Sequence, residues 1–152
     1  MNKTQVVIID TNVVIAGLIT SQVDSSTAKI LDGMLNGQLI YLLSPALLKE
    51  YREVLLRPKL VRLHGLSEDE IDQILTDITA NGIWHEPPSI PGLKAPDPGD
   101  NHLWSLLASE PASILVTGDQ LLIQNPKPKS SVISPATFIK GFYSKSEGST
   151  FS

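Results

Sequence analysis

Short apolar runs recur along the chain, and polar residues, proline or glycine bound each of them. An unbroken run rich in β-branched residues is typical of a parallel strand buried on both faces, because a half-exposed strand alternates apolar and polar side chains. Four such runs predict strands, and a less apolar segment predicts a short fifth one. The five segments are residues 6–9, 39–43, 113–116, 131–133 and, for the short strand, 83–86.

Between these runs, apolar residues recur three and four positions apart, which is the period of a helix with one buried face. Capping residues mark where the helices begin, most clearly the Ser67 and Glu70 spacing of a capping box. Helices are expected after residues 24–27, over 45–56 and 59–64, after Ser67, from the turn at 97–100, and after Ser134. Strands alternating with helices predict an α/β fold, a three-layer α/β/α sandwich around a parallel sheet of about five strands.

A chain of 152 residues is long enough for one domain, which we expect over residues 1–143, followed by a polar, disordered tail over 144–152. The absence of cysteine excludes disulfides and thiolate metal sites and is compatible with a reducing cytoplasm. The apolar run near the start is too short to span a bilayer, so no membrane partner is expected. A formal net charge of −4 argues against a protein that coats nucleic acid by charge alone, but it does not exclude a metal-dependent enzyme.

Two acids directly follow predicted strands. Asp10 comes after the first strand and Asp119 after the fourth, beyond Thr117 and Gly118. In an open parallel sheet, ligands bind beyond the carboxyl ends of the strands, so both side chains are candidates for chemistry or ligand binding. The alternative is that each acid only shapes a turn through hydrogen bonds from its side chain to the backbone.

Glu50 is an outlier in its predicted helix. It lies between Leu47 and Val54 on the apolar row rather than on the solvent face, and a charged group in that place needs a partner. The alternative is that Glu50 reaches water or pairs with a neighbouring cation. The candidate cations are Lys49, Arg52 and Arg57.

Asp100 lies on the apolar row of Leu103, at the start of a predicted helix where backbone N–H groups favour an anion. Helix capping alone explains that position. For Asp97, a cap or turn role is the favoured interpretation, because Asp-Pro commonly opens a turn. His102 lies close to Asp100 but shows no metal-ligand spacing with the other histidines.

The four acids Asp10, Glu50, Asp100 and Asp119 fall at strand ends or on inward rows near helix starts, and in a parallel sheet these places share one edge. Clustered carboxylates repel one another, by about 4 kcal/mol for a pair ~4 Å apart at an effective dielectric of 20. A hard divalent cation offsets that repulsion. Mg²⁺ or Mn²⁺ suits oxygen ligands, whereas zinc sites usually contain cysteine and histidine.

These residues resemble the motifs of PIN-domain (PilT N-terminal) nucleases, especially the branch of toxins from toxin–antitoxin pairs. The resemblance covers about residues 6–142. It implies a sheet of strand order 3-2-1-4-5, Mg²⁺- or Mn²⁺-dependent RNA cleavage, frequent homodimerisation and often a cognate antitoxin protein. The motifs are the segments 10–13, 47–51, 97–100 and 117–122.

Position by position, the resemblance makes Asp10, Glu50, Asp100 and Asp119 the catalytic and metal-binding quartet. Three further positions match supporting residues of the family: Asn12, Thr117 and Asp97. The sequence departs from the family at Asn101, where several members carry a further acid, so the number of bound ions, one or two, stays open.

The resulting hypothesis is that Asp10, Asp100 and Asp119 hold one cation, that Glu50 completes the site, and that a water attacks a phosphodiester to leave a 5′-phosphate. Thr117 is expected to orient Asp119 or a water. One alternative is an aspartyl-nucleophile phosphatase, which usually needs a second acid at the place of Asn12. Another is a non-catalytic module of the same fold whose acidic pocket holds a partner.

Overall fold

Five short parallel strands form one sheet, and the computed structural model describes residues 5–143 of the chain. The strands are ordered 3-2-1-4-5, as the family resemblance implied, and helices lie on both faces of the sheet, so the predicted α/β/α sandwich is confirmed. The tail expected from residue 144 onward lies outside the described residues. The strands are β1 (Val6–Ile9), β2 (Ile40–Leu43), β3 (Ile83–Trp84), β4 (Ile114–Val116) and β5 (Ser131–Ile133).

Eight α-helices connect and cover the strands in the described part of the chain. A 3₁₀ turn, Pro98–Asp100, precedes the sixth helix, and a π turn, Ile139–Tyr143, follows the last. None of these helices is both long enough and apolar enough to cross a bilayer. The helices are α1 (Thr11–Ile19), α2 (Ser26–Leu35), α3 (Pro45–Leu55), α4 (Pro58–His64), α5 (Glu68–Asn81), α6 (Asn101–Ser109), α7 (Gln120–Gln124) and α8 (Pro135–Phe138).

Local capping explains where most helices begin. The side chains of Ser25, Ser44 and Ser134 each accept a hydrogen bond from a backbone N–H in the first turn of the helix that follows. Ser67 and Glu70 form both bonds of the predicted capping box. Two helices were not assigned from the sequence. The apolar run that forms α1 has no clear period, and α7 is too short for a periodic pattern.

The sheet register places two of the predicted site residues side by side. Ile9 at the end of β1 pairs with Val116 at the end of β4, so Asp10 and Thr117 follow from adjacent strands at one edge. Helix α3 is fixed to the same place, because the buried Tyr51 hydroxyl donates a hydrogen bond of 2.5 Å to the carbonyl of Ile9. This contact brings Glu50, the residue before Tyr51, next to the end of β1.

Candidate active site

Asp10 is a buried carboxylate at the junction of β1 and α1, with only 4% of its surface exposed. Its Oδ1 accepts the backbone N–H of Thr11 at 2.8 Å, and its Oδ2 accepts the hydroxyl of Thr117 at 2.7 Å. Burial raises the pKa of Asp10, the nearby charge of Glu50 acts in the same direction, and the two hydrogen bonds oppose the rise. A cation that faces such a buried carboxylate would stabilise its charged form.

Thr117 and Asn12 fix Asp10 to the loop after β4. The Thr117 hydroxyl, fully buried, also accepts the backbone N–H of Asp119 at 3.0 Å, and the Asn12 amide nitrogen lies 3.3 Å from it. The Asn12 oxygen accepts the backbone N–H of Gly118 at 2.9 Å. Thr117 therefore bonds the Asp10 carboxylate and also accepts from the backbone of Asp119, and Asn12 lies between Asp10 and Gly118.

Glu50 makes its hydrogen bonds with Thr11, the residue after Asp10, and with His102, and it forms no ion pair with a lysine or arginine of the described residues. The Thr11 hydroxyl donates to Oε2 of Glu50, and Nε2 of His102 lies 3.3 Å from Oε1. The pKa of Glu50 lies below its ordinary value, first because of the hydrogen bond from His102, and the charge of Arg57 lowers it further, while burial opposes both. The glutamate is therefore held ionised at the site.

The other two candidate partners of Glu50 pair elsewhere. Lys49 lies 3.8 Å from Glu53. Arg52 binds Glu68 at 2.8 Å and Asp72 at 2.9 Å, across to helix α5. Lys49 and Arg52 therefore form their ion pairs with other acids and not with Glu50.

Asp100 occupies the N-cap position of α6, but its carboxylate makes no capping hydrogen bond. Burial raises the pKa of Asp100 to about 6, and the charges of Asp10, Asp97 and Glu50 contribute to the rise. Asp97 does act as a cap, since its Oδ1 accepts the backbone N–H of Gly99 at 2.9 Å. Capping therefore accounts for Asp97, whereas the Asp100 carboxylate is left to face the other acids.

Asp119, like Asp10, lies beyond the end of a strand and caps the helix that follows. It is the N-cap of α7, and its Oδ1 accepts the backbone N–H of Leu121 at 2.9 Å. Its backbone is linked to Asp10 through Thr117, as described above. The structure thus places Asp119 at the same sheet edge with one carboxylate oxygen used in a cap.

His102 completes the cluster, although its spacing from the other histidines did not indicate a metal ligand. One ligand atom each from Glu50, Asp100 and His102 lie within 4.8 Å of one another. Within the described residues, the buried Nδ1 of His102 has no hydrogen-bond partner. Its position two residues after Asp100, in the first turn of α6, was the available signal, but the sequence alone does not say which way that turn faces.

The donor set fits a divalent cation. Carboxylate oxygens suit Mg²⁺ and Mn²⁺, and an imidazole suits Mn²⁺ and other transition metals. Glu50, Asp100 and His102 could hold such an ion, with Asp10 beside them, because the charges of Asp10 and Glu50 are near enough to raise the pKa of Asp100. A bound cation would offset the mutual repulsion of these acids.

Comparison with protein families agrees with the fold. The family model described as the PIN domain matches residues 6–121, about three quarters of the chain. Neither the curated proteins nor the solved structures give a significant match. PIN domains are generally metal-dependent nucleases that act on RNA. With its strand order, its acids at one sheet edge and the extent of this match, the chain belongs to the PIN domain family.

Proposed function

We propose that the protein is a Mg²⁺- or Mn²⁺-dependent endoribonuclease that hydrolyses RNA phosphodiester bonds and leaves 5′-phosphate ends. The observation that carries this proposal is the meeting of Asp10, Glu50 and Asp100 from three separate elements. Glu50 and Asp100 each place a carboxylate oxygen within 4.8 Å of the other, and Thr11, the residue after Asp10, donates a hydrogen bond to Glu50. Asp10, Glu50, Asp100 and Asp119 are the proposed catalytic and metal-binding acids, and His102 lies among them.

The side chains that contact the acids each have a defined part in this proposal. Thr117 and Thr11 hold the carboxylates of Asp10 and Glu50 in place through hydrogen bonds. His102 helps to keep Glu50 ionised, so that it can accept a proton from the attacking water or bind the ion. A divalent cation, when bound, favours deprotonation of that water and offsets the charge that develops on the phosphate.

The aspartyl-phosphatase alternative has less support. Both carboxylate oxygens of Asp10 already accept hydrogen bonds, from Thr11 and Thr117. Asn12, which stands where such phosphatases usually carry a second acid, uses its side-chain oxygen to bind the backbone of Gly118. In the non-catalytic alternative the acids only hold a partner, so cleavage of RNA in the presence of Mn²⁺ distinguishes it from a nuclease.

On the motif resemblance, we further propose that the protein acts in the cytoplasm as the toxin of a toxin–antitoxin pair, binds a cognate antitoxin protein and forms a homodimer. Induced expression in a bacterial host tests the toxin role. We expect growth to stop with the parent protein and to continue with the Asp10→Asn variant. Equal growth of the two strains would contradict it.

The direct test of the nuclease proposal uses end-labelled single-stranded RNA and DNA of the same sequence, each incubated with the protein and Mn²⁺ or Mg²⁺. We expect internal cuts in the RNA and at least about tenfold slower cutting of the DNA, a discrimination of about 1.4 kcal/mol. Ligation of the products to a 3′-hydroxyl acceptor checks for the 5′-phosphate. Intact RNA in both metals would contradict the proposal.

The basic residues near Glu50 fall into two groups. Lys49 and Arg52 are paired with acids, as described above, whereas Arg57, Lys59 and Arg62 make no ion pair with the part of the chain that the structure describes. Arg57 is exposed and close enough to the site that its charge lowers the pKa of Glu50. We therefore assign Arg57 to the binding of an RNA phosphate near the acids.

Arg57→Gln should weaken RNA binding, because a phosphate contact is lost. We expect the salt dependence, the slope of log K against log salt concentration, to fall by about 0.7 for a single strand. The matched control is Arg52→Gln, which removes the same charge from a neighbouring position already neutralised by acids. Fluorescence anisotropy of a labelled RNA measures both variants, and equal slopes for the two would contradict the assignment of Arg57.

A further inference from the structure

A cleft of about 500 Å³ opens beside the acids. Asn101, His102 and Ser105 of α6 form one wall, the start of α3 forms another, and the loop after β3, including Glu86 and Ile90, forms a third. His102 also bonds Glu50, so the cleft is continuous with the candidate active site. Its volume lies within the range of small-ligand sites, roughly 300–1,000 Å³.

The wall of the cleft is unsuited to a phosphate group. Among its described residues there is no lysine or arginine, and Glu86 contributes the one carboxylate. The wall contains apolar side chains of proline, alanine, isoleucine and leucine together with the polar side chains of serine and asparagine. A mixed, largely uncharged surface of this kind suits a flat heteroaromatic ring with polar edges, rather than an anion.

Among the polar side chains in the wall, Asn101 and Glu86 keep unused hydrogen-bonding capacity. Asn101 accepts the backbone N–H of Ala95 through Oδ1 at 2.8 Å, which fixes the amide and leaves Nδ2 without a partner among the residues described. Glu86 accepts the indole N–H of Trp84 through Oε1 at 3.0 Å, and its Oε2 has no partner within the same residues. The free groups of the cleft thus include an amide donor and a carboxylate acceptor.

We propose that this cleft binds an unpaired RNA base next to the phosphate that is cut, and that it prefers bases with an exocyclic amine. The inference rests on the proposed nuclease function. A carboxylate oxygen accepts a hydrogen bond from the exocyclic amine of cytosine, adenine or guanine, which projects from the ring. In uracil the single N–H lies between two carbonyl oxygens, and these repel a carboxylate that approaches it. A base held in a duplex cannot enter a cleft, so the site selects single-stranded RNA.

The test uses short single-stranded oligo(C), oligo(A) and oligo(U), with kcat and KM measured in Mn²⁺. For the parent protein we expect kcat/KM on oligo(C) and oligo(A) to exceed that on oligo(U) by about tenfold, within the range of one good base contact. Ser105→Trp fills the cleft and should raise KM on every substrate. Ser109→Trp is the matched control, because it places the same side chain one turn further along α6, outside the cleft.

Glu86→Gln keeps the shape of the side chain at an exposed loop position, so we expect this variant to fold even if Ser105→Trp does not. We expect it to reduce the preference for oligo(C) over oligo(U) at least threefold.

RNA affinities measured in the Asp10→Asn background test the cleft without any cleavage. If the parent cuts RNA but the Ser105 and Ser109 variants behave alike and Glu86→Gln keeps the base preference, the cleft inference is wrong and the nuclease proposal stands. If no RNA is cut but oligo(C) and oligo(A) bind more tightly than oligo(U), the base preference of the cleft stands and the nuclease proposal is wrong.

Discussion

Asp10→Asn should abolish RNA cleavage, lowering kcat/KM at least about a thousandfold, equivalent to about 4 kcal/mol of transition-state stabilisation. The substitution keeps the shape of the side chain and removes its charge. Because burial raises the pKa of Asp10, ionising the native residue costs free energy at neutral pH, and a neutral amide avoids that cost. We therefore expect the melting temperature to stay level or rise while activity is lost, as measured by calorimetry and by RNA cleavage.

The matched control for this variant is Asp69→Asn. Asp69 is an exposed acid in the first turn of α5, far from the acids in sequence and without an ion pair in the described part of the chain. The Asp69→Asn variant should cleave RNA like the parent, and its folded state should lose at most about 1 kcal/mol of favourable interaction between the acid and the helix N-terminus. An Asp10→Asn protein that cuts RNA at the parent's rate in Mn²⁺ would overturn the assignment of Asp10.

Removal of divalent ions should eliminate cleavage completely, and Mn²⁺ should restore it. Without the ion, the charges of Asp10, Asp97 and Glu50 act against that of Asp100, which is one reason for its raised pKa. An ion present at about 100 times its Kd stabilises the folded state by about 2.7 kcal/mol, which for a domain of this size raises the melting temperature by roughly 5–10 °C. Cleavage assays in EDTA and thermal unfolding with and without Mn²⁺ measure the two effects.

The rise in melting temperature with Mn²⁺ should be much smaller in Asp10→Asn and unchanged in Asp69→Asn, because only the former has lost a charge at the site. This comparison separates binding at the acids from general effects of the ion. Cleavage that continues at the same rate in excess EDTA would contradict a metal-dependent reaction. A melting temperature indifferent to Mn²⁺ in the parent would contradict ion binding.

Much of the fold was predictable because its strands are buried on both faces. The runs that became β1, β2 and β4 are continuous and apolar, and this pattern is specific to covered parallel strands. The short helix α7 was missed because five residues do not reveal a period. The segment that became α1 was missed for a different reason, since a helix in which even the less buried positions are apolar lacks the polar face by which a helix is recognised.

That the acids lie at one edge of the sheet was predictable from their places at strand ends and helix starts, but their hydrogen-bond partners were not. Which of the nearby groups Glu50 contacts depends on how α3 packs against β1, and that packing is set by long-range contacts such as the Tyr51 hydroxyl with Ile9. The same holds for His102, whose direction is fixed only once α6 packs against the sheet. The membership of Asp119 in the metal site stays a prediction.

Diffraction from crystals soaked in Mn²⁺, recorded where manganese scatters anomalously, tests the central claim most directly. We predict a peak within about 2.0–2.6 Å of carboxylate oxygens of Glu50 and Asp100, with Asp10 directly or through water in its shell. The same map shows whether His102 and Asp119 are ligands and whether a second ion is present. Full-occupancy manganese elsewhere on the surface, with no peak among these acids, would contradict the account.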